Sequence, residues 1–215
     1  MRIVIAGGHG QIALLLARQL VRSGHQPVSI IRNPAHTEEV KATGAEPVVL
    51  DLERATVSRL AAPLAGADAV VFAAGAGPGS TAERKLTVDR DGATLLIAAA
   101  EQAGVARYVM ISALGADAFD PDSTDVFQVY LRAKSEADAA LRSSDLDWTV
   151  VRPGGLTDGP GTGHVTVADS TGRGSIPRAD VAAVVRQCLT ATGTIGKQFE
   201  VISGDTPIEA ALATA

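Results

Sequence analysis

The chain has 215 residues, of which 46% are hydrophobic and 20% are charged, a balance typical of one globular domain. Its formal net charge is −5 and no run of Lys or Arg forms a basic stripe, so nucleic acid is not an expected partner. No apolar segment approaches the ~20 residues that span a bilayer, and the single cysteine, Cys188, fits a reducing compartment, so we expect a cytoplasmic protein without membrane contact.

Short apolar runs alternate with longer segments of helical character along most of the chain. The predicted strands are rich in Val and Ile and cover 3–6, 28–31, 48–50, 69–73, 108–111, 149–151 and 198–202. The predicted helices cover 11–23, 81–102, 125–143 and 178–189. Nearly continuous apolar strands are typical of a parallel sheet that is buried on both faces. The alternation therefore predicts an α/β fold over 1–215, a single Rossmann-type domain with a doubly wound parallel sheet.

The Gly-, Pro- and Thr-rich stretch over 153–177 interrupts this alternation, and a helical pattern and a strand resume after it. We interpret the stretch as a small C-terminal region of substrate-facing loops rather than as a second domain. The two long predicted helices, 81–102 and 125–143, could form the face of a homodimer. In a doubly wound sheet the ligand site lies at the carboxyl ends of the strands, where the strand order reverses.

A glycine-rich turn follows the first predicted strand directly and opens the first predicted helix. Its sequence is Gly7-Gly8-His9-Gly10-Gln11-Ile12-Ala13. Gly7 and Gly10 would let the backbone approach a pyrophosphate, which would lie against the free N–H groups at the positive end of the helix. A glycine motif alone is a weak indication, but its place between strand and helix favours dinucleotide binding over an ordinary turn. No metal is expected, because the four histidines show no close ligand spacing.

The end of the second predicted strand indicates which nicotinamide nucleotide is bound. Arg32 stands 22 residues after Gly10, where an NAD-binding protein would usually place Asp or Glu against the ribose 2′-hydroxyl. A guanidinium can instead bind a 2′-phosphate through charge-assisted hydrogen bonds. Arg32 therefore predicts NADP(H). The alternative is a solvated arginine just beyond the end of a strand.

Tyr130 and Lys134 are four residues apart, which places the phenol and the ammonium on one face of a predicted helix. A neighbouring cation lowers the cost of forming phenolate, so we expect Lys134 to lower the pKa of Tyr130 and make it a competent proton donor. Ser112, at the end of the fifth predicted strand, should face the same crevice and could stabilise a developing oxyanion. The alternative for Tyr130 and Lys134 is a pair on the helix surface. The alternative for Ser112 is a strand-end hydroxyl that bonds to nearby backbone.

These residues together resemble the atypical, short members of the short-chain dehydrogenase/reductase superfamily, the NAD(P)-binding group similar to NmrA-like and biliverdin-reductase-B-like proteins. The resemblance spans nearly the whole chain and also rests on the segments 51–52, 72–75, 151–158 and 178–182. It implies that 51–52 borders the adenine, that 73–75 packs beside the cofactor and that 153–156 lines the nicotinamide. The predicted cofactor contacts are therefore Gly7, Gly8, His9, Gly10, Gln11, Ile12, Arg32, Asp51, Leu52, Ala73, Ala74, Gly75, Lys134, Pro153, Gly154, Gly155 and Leu156.

The residues and the resemblance indicate an NADPH-dependent oxidoreductase that transfers hydride to a small carbonyl, quinone-like or flavin-like acceptor. In this interpretation Tyr130 supplies a proton, Lys134 holds the nicotinamide ribose and Ser112 binds the substrate oxygen. One departure from the superfamily pattern is that Tyr130 stands 18 positions after Ser112, farther than is usual in its catalytic members. Two alternatives stay open: a non-catalytic NADP(H)-binding redox sensor, and a sugar-nucleotide epimerase or dehydratase.

Overall fold

Strands and helices alternate through most of the chain in the computed structural model, which describes residues 1–214. The strands are β1 (Arg2–Ala6), β2 (Gln26–Ile31), β3 (Glu46–Val49), β4 (Ala69–Phe72), β5 (Arg107–Ile111), β6 (Asp147–Pro153), β7 (Gly155–Thr157), β8 (His164–Ala168), β9 (Ser175–Pro177), β10 (Lys197–Ser203) and β11 (Thr206–Pro207). The helices are α1 (Gln11–Arg22), α2 (Thr37–Lys41), α3 (Val57–Leu64), α4 (Ala82–Arg84), α5 (Gly92–Ala103), α6 (Val126–Arg142), α7 (Arg178–Cys188) and α8 (Ile208–Ala213). Over residues 1–214, none of these helices combines the length and the apolarity needed to cross a bilayer.

Nine of the strands form one sheet in the order β11-β8-β10-β6-β5-β4-β1-β2-β3. The strands from β10 to β3 are parallel, whereas β8 is antiparallel to both of its neighbours. Because β1 lies between β2 and β4, the strand order reverses beside β1 and opens a crevice at the carboxyl ends of these strands. The predicted Rossmann-type α/β fold is confirmed.

The sheet is buried on both faces because alternate residues of its central strands enter opposite cores. Ile3 and Ile5 of β1 pack with apolar residues of α1, α7 and α8, whereas Val4 and Ala6 pack with those of α3, α5 and α6. All four are inaccessible to solvent. Burial of this kind stabilises by about 25 cal/mol per Å² of apolar surface. The two-sided core therefore holds β1 firmly and positions the turn that follows it.

The segment 153–177 is not a set of loops throughout, as the sequence interpretation had it. β7 and β9 pair in a separate two-stranded sheet, and β8 pairs with β10 near the edge of the main sheet. β8 forms because Val165 and Val167 alternate with polar residues, and Val165 becomes fully buried in the core. The Gly- and Thr-rich composition of the surrounding residues concealed this strand.

The predicted helix over 81–102 is helical from residue 82 onward, with an irregularity in its N-terminal half. Residues 85–91 adopt π-helical geometry between α4 and α5. Lys85 and Asp89 in this π segment are buried although both are charged. Since π-helical turns are rare and occur frequently at functional sites, the buried charges indicate a site beside this segment.

Candidate functional site

The turn between β1 and α1 has a backbone geometry that favours glycine at position 7. Gly7 has a φ of +79°, and a Cβ there would lie 2.5 Å from the Cα of Ala74, in the loop after β4. At Gly8 a Cβ would lie 2.8 Å from the Ser29 Cα, so this glycine allows the turn to pack on β2. Without side chains at these positions, a ligand can approach the backbone of the turn itself.

At the N-terminus of α1, the first amides have no side-chain acceptor among residues 1–214. Gly10 is the capping residue and makes no side-chain cap hydrogen bond, and no acidic residue occupies the first turn. The first N–H groups of a helix lack intrahelical partners and carry the positive end of the helix dipole. A diphosphate fits this cradle, because its oxygens accept from the amides and the dipole favours its charge.

A first cavity of about 310 Å³ opens beside the turn and reaches the carboxyl ends of β2 and β3. Ile30, Leu50 and Val88 give it apolar surface on which a planar base can pack. The predicted residues that line it are Gly7, His9, Gly10, Arg32, Asp51, Leu52, Ala73, Ala74 and Gly75. This composition fits the adenosine half of a dinucleotide.

A carboxylate stands at the wall of the first cavity, beside the arginine that marks the end of β2. Glu53 accepts hydrogen bonds from Arg32 at 3.2 Å and from Arg84 at 2.8 Å, and the Thr87 hydroxyl donates a third at 2.7 Å. The hydrogen bond from Arg84 is the largest cause that holds the pKa of Glu53 below its ordinary value. Arg32 therefore lines the cavity next to Glu53. The spacing of Arg32 from Gly10 could not reveal this carboxylate.

A second cavity, of about 820 Å³, adjoins the first and shares residues 73–75 with it. The loop after β4, the π segment and the beginning of α6 form most of its walls. Its lining residues include the predicted catalytic and nicotinamide-side positions Ile12, Ser112, Tyr130, Lys134, Pro153 and Leu156. The two cavities therefore lie side by side at the point where the strand order reverses.

Lys134 is buried beside Tyr130 and forms an ion pair that the sequence analysis did not identify. Its Nζ lies 3.2 Å from Asp89 Oδ1 and donates to the Ile111 carbonyl oxygen at 3.3 Å. The side chains of Lys134 and Asp89 are 4% and 1% exposed, so each charge offsets the cost of removing the other from water. The Lys134 Nζ lies 5.9 Å from the centre of the Tyr130 ring, which confirms that the pair shares one helix face.

The expected lowering of the Tyr130 pKa is wrong. Burial of the phenol is the largest cause that raises the pKa of Tyr130, and the Asp89 and Asp138 carboxylates add to the increase. The charge of Lys134 acts in the expected direction but does not outweigh burial. Helical spacing revealed the cation, whereas the burial arises from other elements of the fold. Tyr130 therefore keeps its proton at neutral pH, as a proton donor must.

Ser112 lines the same cavity as Tyr130 and Lys134 despite the long connection between them. Its hydroxyl donates to Asp138 Oδ2 at 2.7 Å, and that carboxylate oxygen also accepts from Arg152 Nε at 2.9 Å. Burial is the largest cause that raises the pKa of Asp138. The Ser112 hydroxyl donates its only proton to Asp138. The Ser112 oxygen can therefore accept a hydrogen bond, but the hydroxyl has no second proton to donate to an oxyanion.

The remaining predicted contacts, Gly8, Gln11, Gly154 and Gly155, line neither of the two cavities. Gly154 is a packing position, since a Cβ there would lie 2.5 Å from the carbonyl oxygen of Gly174. Pro153 and Leu156 do line the second cavity, so only the two ends of the 153–156 run border it. Contact with the cofactor stays a prediction for these four glycine and glutamine positions, as it does for the residues that line the cavities.

Several charged residues at the site were missed by the sequence analysis: Glu53, Arg84, Lys85, Asp89 and Asp138. All five lie in the connections between strands, and for four of them no spacing along the chain points to the predicted residues. The spacing of Asp138 does point to them, because Asp138 stands four residues after Lys134 on α6 and repeats the spacing that links Tyr130 to Lys134. Extending that helical series would have predicted its presence beside the pair.

A parallel sheet of this order, with a glycine cradle at its switch point and two adjoining cavities, defines a dinucleotide-binding protein. The chain belongs to the NAD(P)H-binding family, whose family model matches residues 7–192. This match confirms the NAD(P)-binding group to which the sequence resemblance pointed.

Three known proteins illustrate the similarity. A Bacillus subtilis protein named as the uncharacterized sugar epimerase YhfK is 37% identical over 213 residues, which cover 99% of each chain. A solved structure from Bacillus halodurans, provisionally named as an NAD-dependent epimerase/dehydratase, is 39% identical, covers 100% of both chains and has a TM-score of 0.91. The Streptomyces griseus (4-alkanoyl-5-oxo-2,5-dihydrofuran-3-yl)methyl phosphate reductase is 31% identical over 99% of this chain and 71% of its own. The chain thus belongs to an oxidoreductase-like family in which epimerase names also occur.

Proposed function

We propose that the protein is an NADPH-dependent reductase of a small carbonyl, quinone-like or flavin-like compound. The observation that carries the proposal is that Tyr130, Lys134 and Ser112 line one cavity, which shares residues 73–75 with the cavity beside the glycine cradle. The acceptor would occupy the second cavity, next to the reactive half of the dinucleotide.

The dinucleotide would be held by the turn after β1 and by the first cavity. Gly7, Gly10 and the N-terminus of α1 would bind its diphosphate. Arg32 and Arg84 would bind a 2′-phosphate in place of their present partner Glu53, which supports NADP(H) over NAD(H). When bound, the reduced nicotinamide supplies the hydride that the acceptor takes up.

Tyr130 would supply the proton that the reduced acceptor needs. The raised pKa of Tyr130 keeps the phenol protonated before the reaction, and the nearby Lys134 ammonium favours the phenolate that is left after it. We also propose the predicted contact of Lys134 with the nicotinamide ribose, since its side chain lines the second cavity. Ser112 would orient the substrate by accepting a hydrogen bond, because its own proton is donated to Asp138.

The second cavity has apolar surface that suits a flat, conjugated acceptor. Phe127 is 60% exposed and lines the cavity, and Leu156 lines it as well. The rings of Phe127 and Tyr130 are 6.0 Å apart and tilted at 34°, so the aromatic surface extends to the proton donor. Aromatic and aliphatic side chains with a few polar groups are typical of sites for small organic molecules.

The test measures oxidation of NADPH by the purified protein in the presence of naphthoquinone, free flavin or small aldehydes. In Tyr130→Phe we expect kcat to fall by about 10²- to 10⁴-fold, because the proton donor is lost. The Kd of NADPH, measured by calorimetry, should stay unchanged. Tyr108→Phe is the matched control: Tyr108 is fully buried in the core and its hydroxyl has no hydrogen-bond partner among residues 1–214, so activity should persist.

Full turnover in Tyr130→Phe would contradict the proposed proton donor. Binding of NADPH without oxidation by any tested acceptor would instead favour the non-catalytic redox sensor. A redox sensor must respond differently to NADP⁺ and NADPH. If the two nucleotides bound with equal affinity, their ratio could transmit no signal to a protein partner. Calorimetric titrations of both nucleotides therefore accompany the activity measurements.

The names of two relatives support a second candidate, a sugar-nucleotide epimerase or dehydratase. Such an enzyme regenerates its cofactor within each turnover and would convert a nucleotide sugar without net oxidation of NADPH. The C-terminal region favours the reductase over the epimerase. Within 153–177, only Pro153 and Leu156 line the second cavity, so this region gives little surface to enclose a nucleotide sugar. Incubation with UDP-glucose and NAD⁺, followed by chromatography of the sugar nucleotides, distinguishes the two candidates.

A further inference from the structure

Lys85 is a buried cation on the wall of the second cavity, and it forms no ion pair with a carboxylate of residues 1–214. The residue is 9% exposed. Its Nζ donates to the Gly77 carbonyl oxygen at 2.8 Å and lies 5.2 Å from the centre of the Tyr130 ring. A neutral carbonyl offsets only part of the cost of burying an ammonium group. Lys85 therefore places an ammonium group at the cavity wall, where an anion could compensate it.

The carboxylates that line the second cavity are engaged elsewhere. Asp89 pairs with Lys134, and the two charges neutralise each other. Asp125 is exposed to solvent and accepts hydrogen bonds from the first amides of α6, those of Phe127 and Gln128. Water and these amides screen the charge of Asp125. Of the charged groups that line this cavity, Lys85 is thus the buried one without a compensating partner.

We propose that Lys85 binds an anionic group of the substrate, a carboxylate or phosphate, and so selects anionic acceptors. The inference rests on the proposed reductase function and adds the charge of the substrate to it. The Lys85 and Lys134 ammonium groups lie 5.2 and 5.9 Å from the centre of the Tyr130 ring. The anionic group would therefore sit close to the conjugated system that Tyr130 protonates.

The phosphates on the adenosine side of the cofactor are not the expected partner of Lys85. Lys85 lines the second cavity and not the first, whereas Arg32 and Arg84 line the first. The glycine cradle also lies on the first cavity. An effect of Lys85 on NADPH binding is nevertheless one of the outcomes that the experiment measures.

The experiment compares two matched acceptors that differ in charge, 1,4-naphthoquinone and its 2-sulfonate. For Lys85→Met we expect kcat/KM for the sulfonate to fall by about 10- to 100-fold, because a hydrogen bond between charged groups is lost. The value for the neutral quinone should change by less than about twofold. Lys41→Met is the matched control, since it removes an ammonium from an exposed ion pair with Glu38 and should affect neither acceptor.

A binding measurement separates this inference from the proposed function. Calorimetry titrates the sulfonate into protein saturated with NADP⁺, with no turnover required. Weaker sulfonate binding in Lys85→Met would support the anion site even if no acceptor were reduced. The absence of reduction would overturn the reductase alone. Two results in Lys85→Met would overturn the anion site: an equal loss of kcat/KM for the neutral quinone and its sulfonate, or weaker NADPH binding. Lys85→Gln, which keeps a donor for the Gly77 carbonyl, repeats the comparison if Lys85→Met does not fold.

Discussion

The two adjoining cavities are built in different ways. The first depends on backbone: glycines at positions 7 and 10, a helix N-terminus and the ends of strands leave room for a nucleotide. The second depends on side chains of the π segment and α6, and its buried charges are held by ion pairs and hydrogen bonds. A site of the first kind should fail when a side chain is added, and one of the second kind when a charge is removed.

The largest expected effect belongs to the second cavity. Replacing Lys134 by Met leaves the Asp89 carboxylate buried without its cation, which should cost about 3–5 kcal/mol of unfolding free energy. Urea denaturation measures the loss. The double variant Asp89→Asn/Lys134→Met removes both charges and should recover at least half of the lost stability. If the unfolding free energy of Lys134→Met lay within about 1 kcal/mol of the wild-type value, the ion pair would not be essential to the folded site.

A large effect is also expected when a side chain is added in the first cavity. In Gly7→Ala the new Cβ meets the backbone of Ala74, so the turn must shift, and NADPH binding should weaken by about 30- to 100-fold. Calorimetry measures the Kd. Gly24→Ala is the matched control, since the φ of Gly24 is similar at +76° but no atom of the described residues lies within 4 Å of a Cβ added there. Gly24 lines neither cavity, so equal NADPH affinities for the two variants would contradict the role of Gly7 in the cradle.

The first cavity was largely predictable from the sequence because its signals are local. The turn over 7–13 lies between a strand and a helix that neighbouring residues encode, and Arg32 ends a strand whose apolar run is visible. What could not be predicted is the carboxylate of Glu53 beside Arg32, since it is delivered by the connection after β3. Local patterns therefore located the site and left its charge balance undetermined.

The second cavity was predictable only in its helical spacing. Tyr130 and Lys134 share a face as expected, but the pKa of Tyr130 depends on burial and on carboxylates that the fold brings from other positions. The same limit applies to β8, whose pairing with β10 is a contact between distant segments. The alternation of Val165 and Val167 along β8 is local, but no pattern in the chain shows which distant strand β8 pairs with.

A smaller effect tests the charge balance of the first cavity. In Glu53→Gln the carboxylate that now engages Arg32 and Arg84 is lost, so the affinity for NADPH should rise by about 3- to 10-fold and that for NADH should stay nearly constant. Competition binding of the two nucleotides measures both. Glu38→Gln, in an exposed ion pair on the surface, serves as the control. Weaker NADH binding with unchanged NADPH binding would instead assign Glu53 to the ribose hydroxyls and favour NAD(H).

The smallest expected effect is that of pH on the second cavity. Because burial raises the pKa of Tyr130 above its ordinary value, the phenol stays protonated, and kcat/KM for a neutral acceptor should vary by less than about twofold between roughly pH 6 and 9. Activity should fall only at higher pH, where the proton donor is lost. Initial rates over this range measure the profile. A fall with an apparent pKa near 7 to 8 that is absent in Tyr130→Phe would mean that Lys134 outweighs burial, and that helical spacing alone had been sufficient to predict the site.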